Sequence, residues 1–322
     1  MPNFRSDVLI KNLRKSKGLT QDQLCDGICT KDSLSRIEQG KRRPGWHIFM
    51  QLMQRLGEDP HKYYSDIVSV HEKEIMDMKD EIVQLLRVKN TANYDAARLL
   101  ITEMEQNGDF TKGVNLQFLL RQKAAVASYD KDFAAMYDYA AQAVMVTKPD
   151  FFEDDIHTYL LTYEEIWSII QIAIASASTV SVEKAAEIYL KLKTAVDRGY
   201  MDDDEKIKTY IPLLYNLTTL LGQLKRYEEG LQLCNEGIEL CRRYRNAYYH
   251  PMMLFNKACC LFFLGRMEEG ADPYTRACAL FAGDERDAEL AMIKEYAKKE
   301  FGIAASYPTE TSTPQVPAQD RT

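Results

Sequence analysis

Hydrophobic positions near the start of the chain recur at helical spacing, in short segments separated by turn residues. The residues that set this spacing are Val8, Leu9, Leu13, Leu19, Leu24 and Ile28, and apolar residues spaced in this way share one face of an α-helix. Thr20 and Thr30 stand where the N-caps of a second and a third helix belong, and Gly40 stands where a glycine ends the third. A fourth helix is predicted over residues 46–56 and a fifth after Asp59-Pro60. The pattern therefore predicts a bundle of short helices.

The third helix of this bundle has a polar outer face. Leu34 and Ile37 are expected to point inward, since they are separated by three residues. The outward residues are Thr30, Lys31, Asp32, Ser33, Ser35 and Arg36. A short helix with donors and acceptors in its first turn can enter the major groove of DNA and read base edges. The basic residues 41–43 would then neutralise phosphates, and Gln21 at the start of the second helix is placed to clamp another phosphate.

The same stretch resembles the Cro/C1-type (XRE) helix-turn-helix domain, over about residues 5–65. The resemblance rests on Leu19-Thr20-Gln21-x-x-Leu24 followed by Ser33-x-Ser35-x-Ile37-Glu38-x-Gly40-x-x-x-Pro44. It implies that Gln21 clamps a phosphate, that Lys31, Asp32 and Arg36 read bases, and that Ser33, Ser35, Lys41, Arg42 and Arg43 contact phosphates. The sequence departs from many relatives at Cys29-Thr30, where they have Val-Ser. It also departs at Asp32, whose carboxylate is unfavourable near phosphates but can accept from a cytosine amino group.

The remainder of the chain predicts helices, with almost no strand alternation. An amphipathic helix over residues 69–89 leads out of the first domain. Residues 215–230 then align with residues 255–270 at an offset of 40, sharing Asn, Leu, Arg and the run Glu-Glu-Gly. Pro212 and Pro251 are expected to open the first helices of these two units. Two weaker copies precede them, one around Ala124 and one around Ala173.

Small residues recur in these copies at the positions where paired helices approach closely. The first helices carry Ala124, Ala173, Thr218 and Ala258, and the second helices carry Ala143, Gly237 and Ala277. This pattern resembles tetratricopeptide repeats, which stack into a superhelix because one unit cannot bury a core alone. The predicted fold is all-α, with an N-terminal Cro/C1-type helix-turn-helix domain followed by a tetratricopeptide-like helical-repeat superhelix. The predicted domains are a helix-turn-helix domain over 1–66, a linker helix over 67–89, a repeat domain over 90–302 and a disordered tail over 303–322.

A carboxamide lies two residues before the small residue of every first helix. These amides are Gln122, Gln171, Asn216 and Asn256. The first helices of such repeats line the inner face of the superhelix, and a row of amides there can grip an extended peptide main chain, since an amide both donates and accepts. Arg121, Tyr215 and Phe255 flank the row and are expected to select side chains or, for Arg121, a terminal carboxylate. The alternative is that the amides are ordinary solvated residues.

Charge is distributed unevenly along the chain. Residues 1–62 contain 12 Lys and Arg against 7 Asp and Glu, a net charge of +5 in a chain whose net charge is −7. This balance favours a polyanionic partner for the first domain alone. The N-terminus has no signal-peptide pattern, and no apolar run approaches the ~20 residues of a membrane helix. The seven cysteines are expected to be reduced thiols of a cytoplasmic protein, with a zinc site as a weaker alternative because no C-x-x-C pair is present.

Enzymatic motifs are absent from the sequence. There is no phosphate-binding loop, no H-E-x-x-H and no nucleophile elbow. The acidic runs Glu164-Glu165 and Asp202-Asp203-Asp204-Glu205 are typical of solvated surface. The chain is therefore predicted not to be an enzyme, and no cofactor is predicted.

The order of the parts resembles one family as a whole, the peptide-pheromone-responsive regulators of Gram-positive bacteria that include Rgg, PlcR and PrgX. The resemblance implies a homodimer that binds a double-stranded DNA operator, with a short re-imported signalling peptide held in the repeats. In that family Asn residues on the inner helices hold the peptide backbone, and Asn216 and Asn256 resemble those positions. The alternative is a DNA-binding regulator whose repeats dock a partner protein, with no peptide ligand. A narrow, amide-lined groove would favour a peptide, and a broad, charged groove would favour a protein.

Overall fold

The computed structural model describes residues 6–60, 70–88, 90–198 and 203–303. The chain divides into two compact units, Met1–Arg87 and Val88–Thr322, and the regular secondary structure of the described residues is helical. The all-α fold predicted from the sequence is therefore confirmed. The helix predicted after Asp59-Pro60, and the predicted tail beyond Ile303, fall outside the described residues.

The first unit contains five described helices, with the bounds α1 (Ser6–Ser16), α2 (Gln21–Cys25), α3 (Lys31–Glu38), α4 (Trp46–Arg55) and α5 (Val70–Arg87). Thr20 caps α2 in a capping box with Gln23, and the hydroxyl of Thr30 accepts from the backbone N–H of Ser33 at the start of α3. Gly40 ends α3 in the left-handed region at φ 70°, where a glycine carries no steric penalty. The core of this unit is built from the apolar faces of α1 to α4 and contains Ile10, Leu24, Leu34, Ile37, Phe49, Leu52, Met53 and Leu56.

The second unit is a series of antiparallel helix pairs. Its helices are α6 (Thr91–Gln106), α7 (Gly113–Tyr129), α8 (Phe133–Met145), α9 (Tyr163–Thr179), α10 (Val182–Arg198), α11 (Asp203–Gln223), α12 (Tyr227–Arg243), α13 (His250–Phe263), α14 (Met267–Gly283) and α15 (Asp287–Phe301). Short 3₁₀ segments lie at Gly108–Phe110 and Glu153–Thr158. Each first helix, α7, α9, α11 or α13, packs on the second helix that follows it and also on the next first helix. We call the layer made by α7, α9, α11 and α13 the first-helix layer.

The predicted small residues lie where helices touch. Ala124, Ala173, Thr218 and Ala258 in the first helices are fully buried, and so are Ala143 and Ala277 in the second helices. The 40-residue offset is visible in local detail, since Arg226 pairs with Glu229 and Arg266 with Glu269 through hydrogen bonds of 2.7 and 2.6 Å in each case. The last two units therefore repeat each other in structure, down to the ion pair that begins α12 and α14.

One helix start differs from the sequence prediction. Pro251 does lie in the first turn of α13, as expected, but Pro212 lies inside α11, nine residues after its first residue. Proline removes the hydrogen bond to the carbonyl four residues earlier and disfavours a helix interior. The neighbours Ile211, Leu213 and Leu214 are fully buried, and this burial offsets the missing hydrogen bond, so the helix extends upstream of the proline.

Gly270 in α14 is a site where an added methyl group would meet a rigid neighbour. A Cβ there would lie 2.4 Å from Cε1 of Phe262, whose buried ring packs against Tyr274 and Phe301 at centroid distances of 6.2 and 5.0 Å. We expect overpacking in Gly270→Ala to lower the free energy of unfolding by roughly 1–3 kcal/mol. The higher helix propensity of alanine offsets ~1 kcal/mol of this loss. Gly222→Ala is the matched control, because no atom lies within 4 Å of its added Cβ and it should stabilise the unit. Urea unfolding followed by circular dichroism measures both; equal stability of the two variants would contradict the prediction.

Candidate functional site

The outer face of α3 is the candidate nucleic-acid interface. Leu34 and Ile37 are buried in the core, whereas Lys31, Asp32 and Arg36 are exposed and Ser33 and Ser35 are half-buried on the opposite side. Thr30 and the basic residues Lys41, Arg42 and Arg43 are also exposed. The residues proposed to contact DNA are thus accessible, and they follow one another along α3 and the loop after it.

Lys31 and Ser35 already have side-chain partners within the first unit. Lys31 Nζ lies 2.7 Å from Oδ2 of Asp22, a contact between two exposed side chains that joins α3 to α2. The hydrogen bond and the charge of Asp22 raise the pKa of Lys31, so its ammonium group remains charged. Ser35 Oγ accepts a hydrogen bond of 3.0 Å from Gln39 Nε2. Either side chain must exchange or share its partner in order to contact DNA.

Gln21, expected to clamp a phosphate, is held by a carboxylate inside the unit. Its Nε2 donates to Oε2 of Glu38 at 2.8 Å. Glu38 is also bound by Arg14, whose Nε lies 2.5 Å from Oε1 and whose Nη2 lies 2.8 Å from Oε2. Arg14 Nη1 donates in addition to the carbonyl of Leu19. This two-point ion pair joins α1 to the end of α3, and it was not predicted from the sequence because its residues are 24 positions apart.

Burial and hydrogen bonding shift the pKa of Glu38 in opposite directions. Burial raises the pKa of its carboxyl group, but the hydrogen bonds from Arg14 and Gln21 and the positive charge of Arg14 outweigh that effect. The pKa of Glu38 is therefore lowered, and the group is held as a carboxylate. A buried carboxylate that accepts charge-assisted hydrogen bonds from a guanidinium is a strong anchor for helix orientation.

In the second unit, three of the residues predicted to bind peptide meet at one small hollow. Tyr215 on α11 and Phe255 and Asn256 on α13 line it, together with residues of α13 to α15 that were not predicted from the sequence: Met252, Phe281, Glu289, Met292 and Ile293. Met292 is exposed and Ile293 is buried. We call this site the C-terminal hollow. Its wall is aromatic and aliphatic, with one amide and one carboxylate, a lining that suits an apolar side chain.

Both predicted asparagines have partners in neighbouring helices. Asn256 Nδ2 donates to the hydroxyl oxygens of Thr218 and Thr219 at 2.9 and 3.1 Å, and Asn216 hydrogen-bonds to the hydroxyl of Tyr189. These contacts join one repeat to the next. The asparagines are half-buried, so they are not the fully solvated residues of the alternative interpretation.

Gln122 and Gln171 do not lie on an open inner face, contrary to the expectation from the sequence. Gln122 is 2% exposed and Gln171 is 7% exposed, in two helices, α7 and α9, that contact each other. Gln171 Nε2 donates to the carbonyl of Arg121 at 3.1 Å. The predicted row of four exposed amides is therefore incorrect at its first two positions.

The acidic pair Glu164-Glu165 is also not plain solvated surface. Glu165 is buried and closes a capping box with Thr162 at the start of α9, and it accepts from the hydroxyl of Thr147 at 2.7 Å. Glu164 forms an ion pair with Arg121 across the first-helix layer. Adjacent acids point apart as expected, but one of them points into the protein. The sequence offered a signal for this, since Thr162 and Glu165 have capping-box spacing.

Other predicted features bear less on the site. All seven cysteines are free thiols, and burial raises the pKa of Cys241 to about 12. Within the described ranges, no group of three or more His, Cys, Asp or Glu residues is placed to hold a metal ion. The same ranges contain no helix of the length and apolarity needed to cross a membrane.

Comparisons with known proteins agree with this architecture. Residues 8–62 match the family described as "Helix-turn-helix domain", whereas comparison with curated protein sequences gives no match. Among solved structures, Bacillus thuringiensis PlcR in complex with the peptide PapR7 and DNA matches with a TM-score of 0.62 at 20% identity, over 90% of this chain and 98% of that one.

Two further structures match at similar coverage. ComR from S. thermophilus, in complex with DNA and its signalling peptide ComS, has a TM-score of 0.54 at 17% identity, over 92% of this chain and 100% of that one. The Streptococcus dysgalactiae SHP pheromone receptor Rgg2 has a TM-score of 0.54 at 16% identity, over 91% of this chain and 99% of that one. The chain therefore has the fold of these proteins, a helix-turn-helix unit followed by a helical-repeat unit, and the resemblance inferred from its sequence is confirmed.

The stability of the first unit should depend on pH through the Arg14–Glu38 pair. Because folding lowers the pKa of Glu38, its carboxylate stabilises the folded unit. This stabilisation is fully present above the pKa of about 4.3 that a glutamate has in the unfolded chain. It is lost as pH falls through the lower pKa that Glu38 has in the folded unit. Glu38→Gln leaves Arg14 buried without its anion, at a cost of roughly 3–5 kcal/mol, and should remove this part of the acid sensitivity. Asp32→Asn, at an exposed acid of the same helix, is the control and should stay within ~0.5 kcal/mol.

The measurement uses Trp46, which belongs to the core of the first unit. In a Trp167→Phe background Trp46 is the remaining one of the chain's two tryptophans, so its fluorescence follows unfolding of the first unit alone. Urea unfolding is repeated between pH 7 and pH 3. A Glu38→Gln variant with unchanged stability at pH 7 would show that the ion pair does not anchor α3.

Proposed function

We propose that the chain is a sequence-specific DNA-binding transcriptional regulator whose repeats bind a short signalling peptide that alters operator binding. In this proposal residues 1–66 form the DNA-binding domain, residues 67–89 form a linker helix, and residues 90–302 bind the peptide and mediate homodimerisation. A regulator of this kind acts in the cytoplasm. The observation that carries the proposal is the combination in one chain of an exposed polar α3 with a repeat layer that has the C-terminal hollow.

The assignment for DNA rests on the chemistry of α3 and the loop after it. Arg36 presents a guanidinium group, which can donate two hydrogen bonds to one guanine in the major groove. Lys41, Arg42 and Arg43 supply three consecutive exposed cations, and cations of this kind bind phosphates. PlcR and ComR were both crystallised with DNA, and the match to a helix-turn-helix family covers these residues.

The assignment for a peptide rests on the C-terminal hollow. Its wall is aromatic and aliphatic, and Asn256 at its edge retains a carbonyl oxygen that can accept a main-chain N–H. PlcR and ComR were crystallised with the peptides PapR7 and ComS. A small hollow of this kind suits a short peptide better than the broad face of a partner protein, which is the alternative to this proposal.

Arg36 is predicted to determine DNA specificity. A duplex selected by the full chain from a random pool should bind Arg36→Ala more weakly by roughly 1–3 kcal/mol, the discrimination that one base-reading side chain supplies. Arg42→Ala and Arg43→Ala should instead weaken binding to all duplexes alike. The slope of log affinity against log salt concentration should become shallower by ~0.9 for each phosphate that is no longer neutralised. Arg243→Ala, at an exposed ion pair of the second unit, is the control. Equal weakening on selected and unrelated duplexes would show that Arg36 does not read bases.

Asn256 is predicted to be needed for the response to peptide. A synthetic pool of short peptides rich in Leu, Val and Phe should raise the unfolding temperature of the protein and change its affinity for the selected duplex. The free energy of unfolding should rise by about 2.7 kcal/mol when the peptide concentration is 100 times its dissociation constant. Asn256→Ala should raise the peptide concentration needed for this response by roughly 2- to 13-fold, the worth of one hydrogen bond. Asn235→Ala, at an exposed amide of α12, should respond as the unmodified chain does. DNA binding with no effect of any peptide would favour the partner-protein alternative.

A further inference from the structure

A cavity of about 350 Å³ lies between two second helices, α8 and α10, and the loop after α8. Tyr137, Ala141 and Met145 line it from α8, where a spacing of four residues places all three on one face. Residues 151–154 of the loop and Lys184 of α10 complete the wall. We call this site the second-helix cavity. It shares no lining residue with the C-terminal hollow or with the first-helix layer, so it is separate from the hollow proposed to bind peptide.

Contacts within the loop hold the wall of the second-helix cavity in place. The backbone N–H of Phe152 donates to the hydroxyl of Tyr159 at 3.0 Å, and the ring centroids of Phe151 and Tyr159 are 6.0 Å apart. The 3₁₀ segment Glu153–Thr158 that follows packs on α10. Small-molecule sites are usually formed before the ligand arrives, because ordering a site on binding costs affinity. The second-helix cavity meets this condition.

Large apolar side chains of the second-helix cavity remain open to solvent. Phe152 is 58% exposed and Met145 is 44% exposed, and the side chains of Phe151 and Tyr137 lie in the same wall. Covering apolar surface is favourable in proportion to the area removed from water. The face of an aromatic ring also attracts a cation through the negative side of its quadrupole. The wall therefore suits an apolar body that carries a positive charge.

Acidic groups outnumber basic groups around the second-helix cavity. The charged lining residues and their ion-pair partners are three carboxylates and two ammonium groups, namely Glu153, Asp154 and Glu187, and Lys184 and Lys191. Lys184 Nζ lies 3.1 Å from Oε2 of Glu153. Lys191 Nζ lies 2.7 Å from Oδ1 of Asp154 and also contacts Glu187. One ammonium group thus serves two carboxylates, and the exposed Asp154 can accept a second cation.

The pKa values of the polar lining residues maintain this charge balance at neutral pH. The hydrogen bond from Lys191 lowers the pKa of Asp154, so its carboxyl group is ionised. Burial and the hydrogen bond to Glu153 raise the pKa of Tyr137 to about 12, so Tyr137 remains a neutral phenol that donates to Glu153. An anion in the cavity would meet the carboxylates, whereas the cation of the lining, Lys184, is already paired with Glu153.

We propose that the second-helix cavity binds a lipophilic organic cation, a small molecule whose aromatic or aliphatic body carries one positive charge. The body covers Met145 and Phe152, and the charge pairs with Asp154 beside the aromatic rings. The volume of the cavity is at the lower end of the range of about 300–1,000 Å³ that is usual for small-molecule sites. This ligand is distinct from the signalling peptide, so the inference goes beyond the proposed function and does not depend on it.

The test compares small ions of opposite charge. Equilibrium dialysis of the full chain measures binding of two cations of different size, tetraphenylphosphonium and benzyltrimethylammonium. Phenylmethanesulfonate, which has the benzyl body of the smaller cation and a negative charge, then competes against the cation that binds. We expect the anion to require a roughly tenfold or higher concentration than benzyltrimethylammonium for the same displacement. Binding of the cation should weaken as salt is raised, because Asp154 is exposed and salt screens exposed charges.

Two variants and two controls from the same loop locate the binding. Phe152→Ala removes an exposed ring from the wall and should weaken cation binding roughly 3- to 10-fold. Asp154→Asn removes one exposed charge and should weaken it about 2- to 5-fold. Leu160→Ala and Asp150→Asn change an exposed apolar residue and an exposed acid that do not line the cavity, and should leave binding unchanged. Circular dichroism and unfolding temperature without ligand establish that each variant is folded.

The outcomes decide the inference without reference to the peptide. Cation binding that weakens in Phe152→Ala and in Asp154→Asn, persists in both controls and resists the anion establishes the site. Failure of both cations to bind the full chain overturns it. Binding that the two cavity variants leave unchanged, or an anion that competes as well as the cation does, also overturns it. The response to peptide depends on the C-terminal hollow, so the proposed function stands or falls separately.

Discussion

Close approach of neighbouring helices is the constraint on which the second unit depends. Each first helix carries a fully buried small side chain, which is Ala124, Ala173, Thr218 or Ala258. A larger residue at such a point would separate the helices and expose apolar surface on both sides, at a cost that grows with the area. The amides two residues earlier lie on the other side of each helix, since two residues turn an α-helix by about 200°, and Gln171 and Asn256 bond there to the preceding first helix. Their partial burial therefore follows from the packing that holds the repeats together.

The same contact makes the amides both structural and available for exchange. Asn256 connects α13 to α11 through the hydroxyl groups of Thr218 and Thr219, and Gln171 connects α9 to α7 through the carbonyl of Arg121. A ligand that binds these groups must replace an internal hydrogen bond with an external one. The net gain per exchange is small, since an intramolecular hydrogen bond is worth about 0.5–1.5 kcal/mol. In the proposed function, specificity then comes from the apolar wall of the C-terminal hollow rather than from the amides.

Local signals allowed much of the fold to be predicted from sequence. Thr20, Thr30 and Gly40 determine helix ends through contacts within a few residues, and the 40-residue offset identified the last two repeats because Arg226 and Arg266 begin equivalent helices. Contacts distant in sequence were not predictable in this way. Glu164 pairs with a residue 43 positions away, and Pro212 is tolerated inside α11 because its neighbours are buried. Gln122 has the spacing of an inner-face residue, but its burial depends on how closely α7 meets α9.

A peptide at the first-helix layer can influence DNA binding only if it binds two arrangements of the protein with different free energy. The Arg121–Glu164 pair connects α7 to α9, and a ligand that broke it would bind two such arrangements with different free energy. Effects of this kind are typically worth about 1–3 kcal/mol between two sites and are reciprocal, so an operator that favours one arrangement must change peptide affinity by the same factor. A ligand of this kind acts on an interaction that one arrangement has and the other lacks. An allosteric ligand needs an interaction of that kind, and tight binding alone would not supply it.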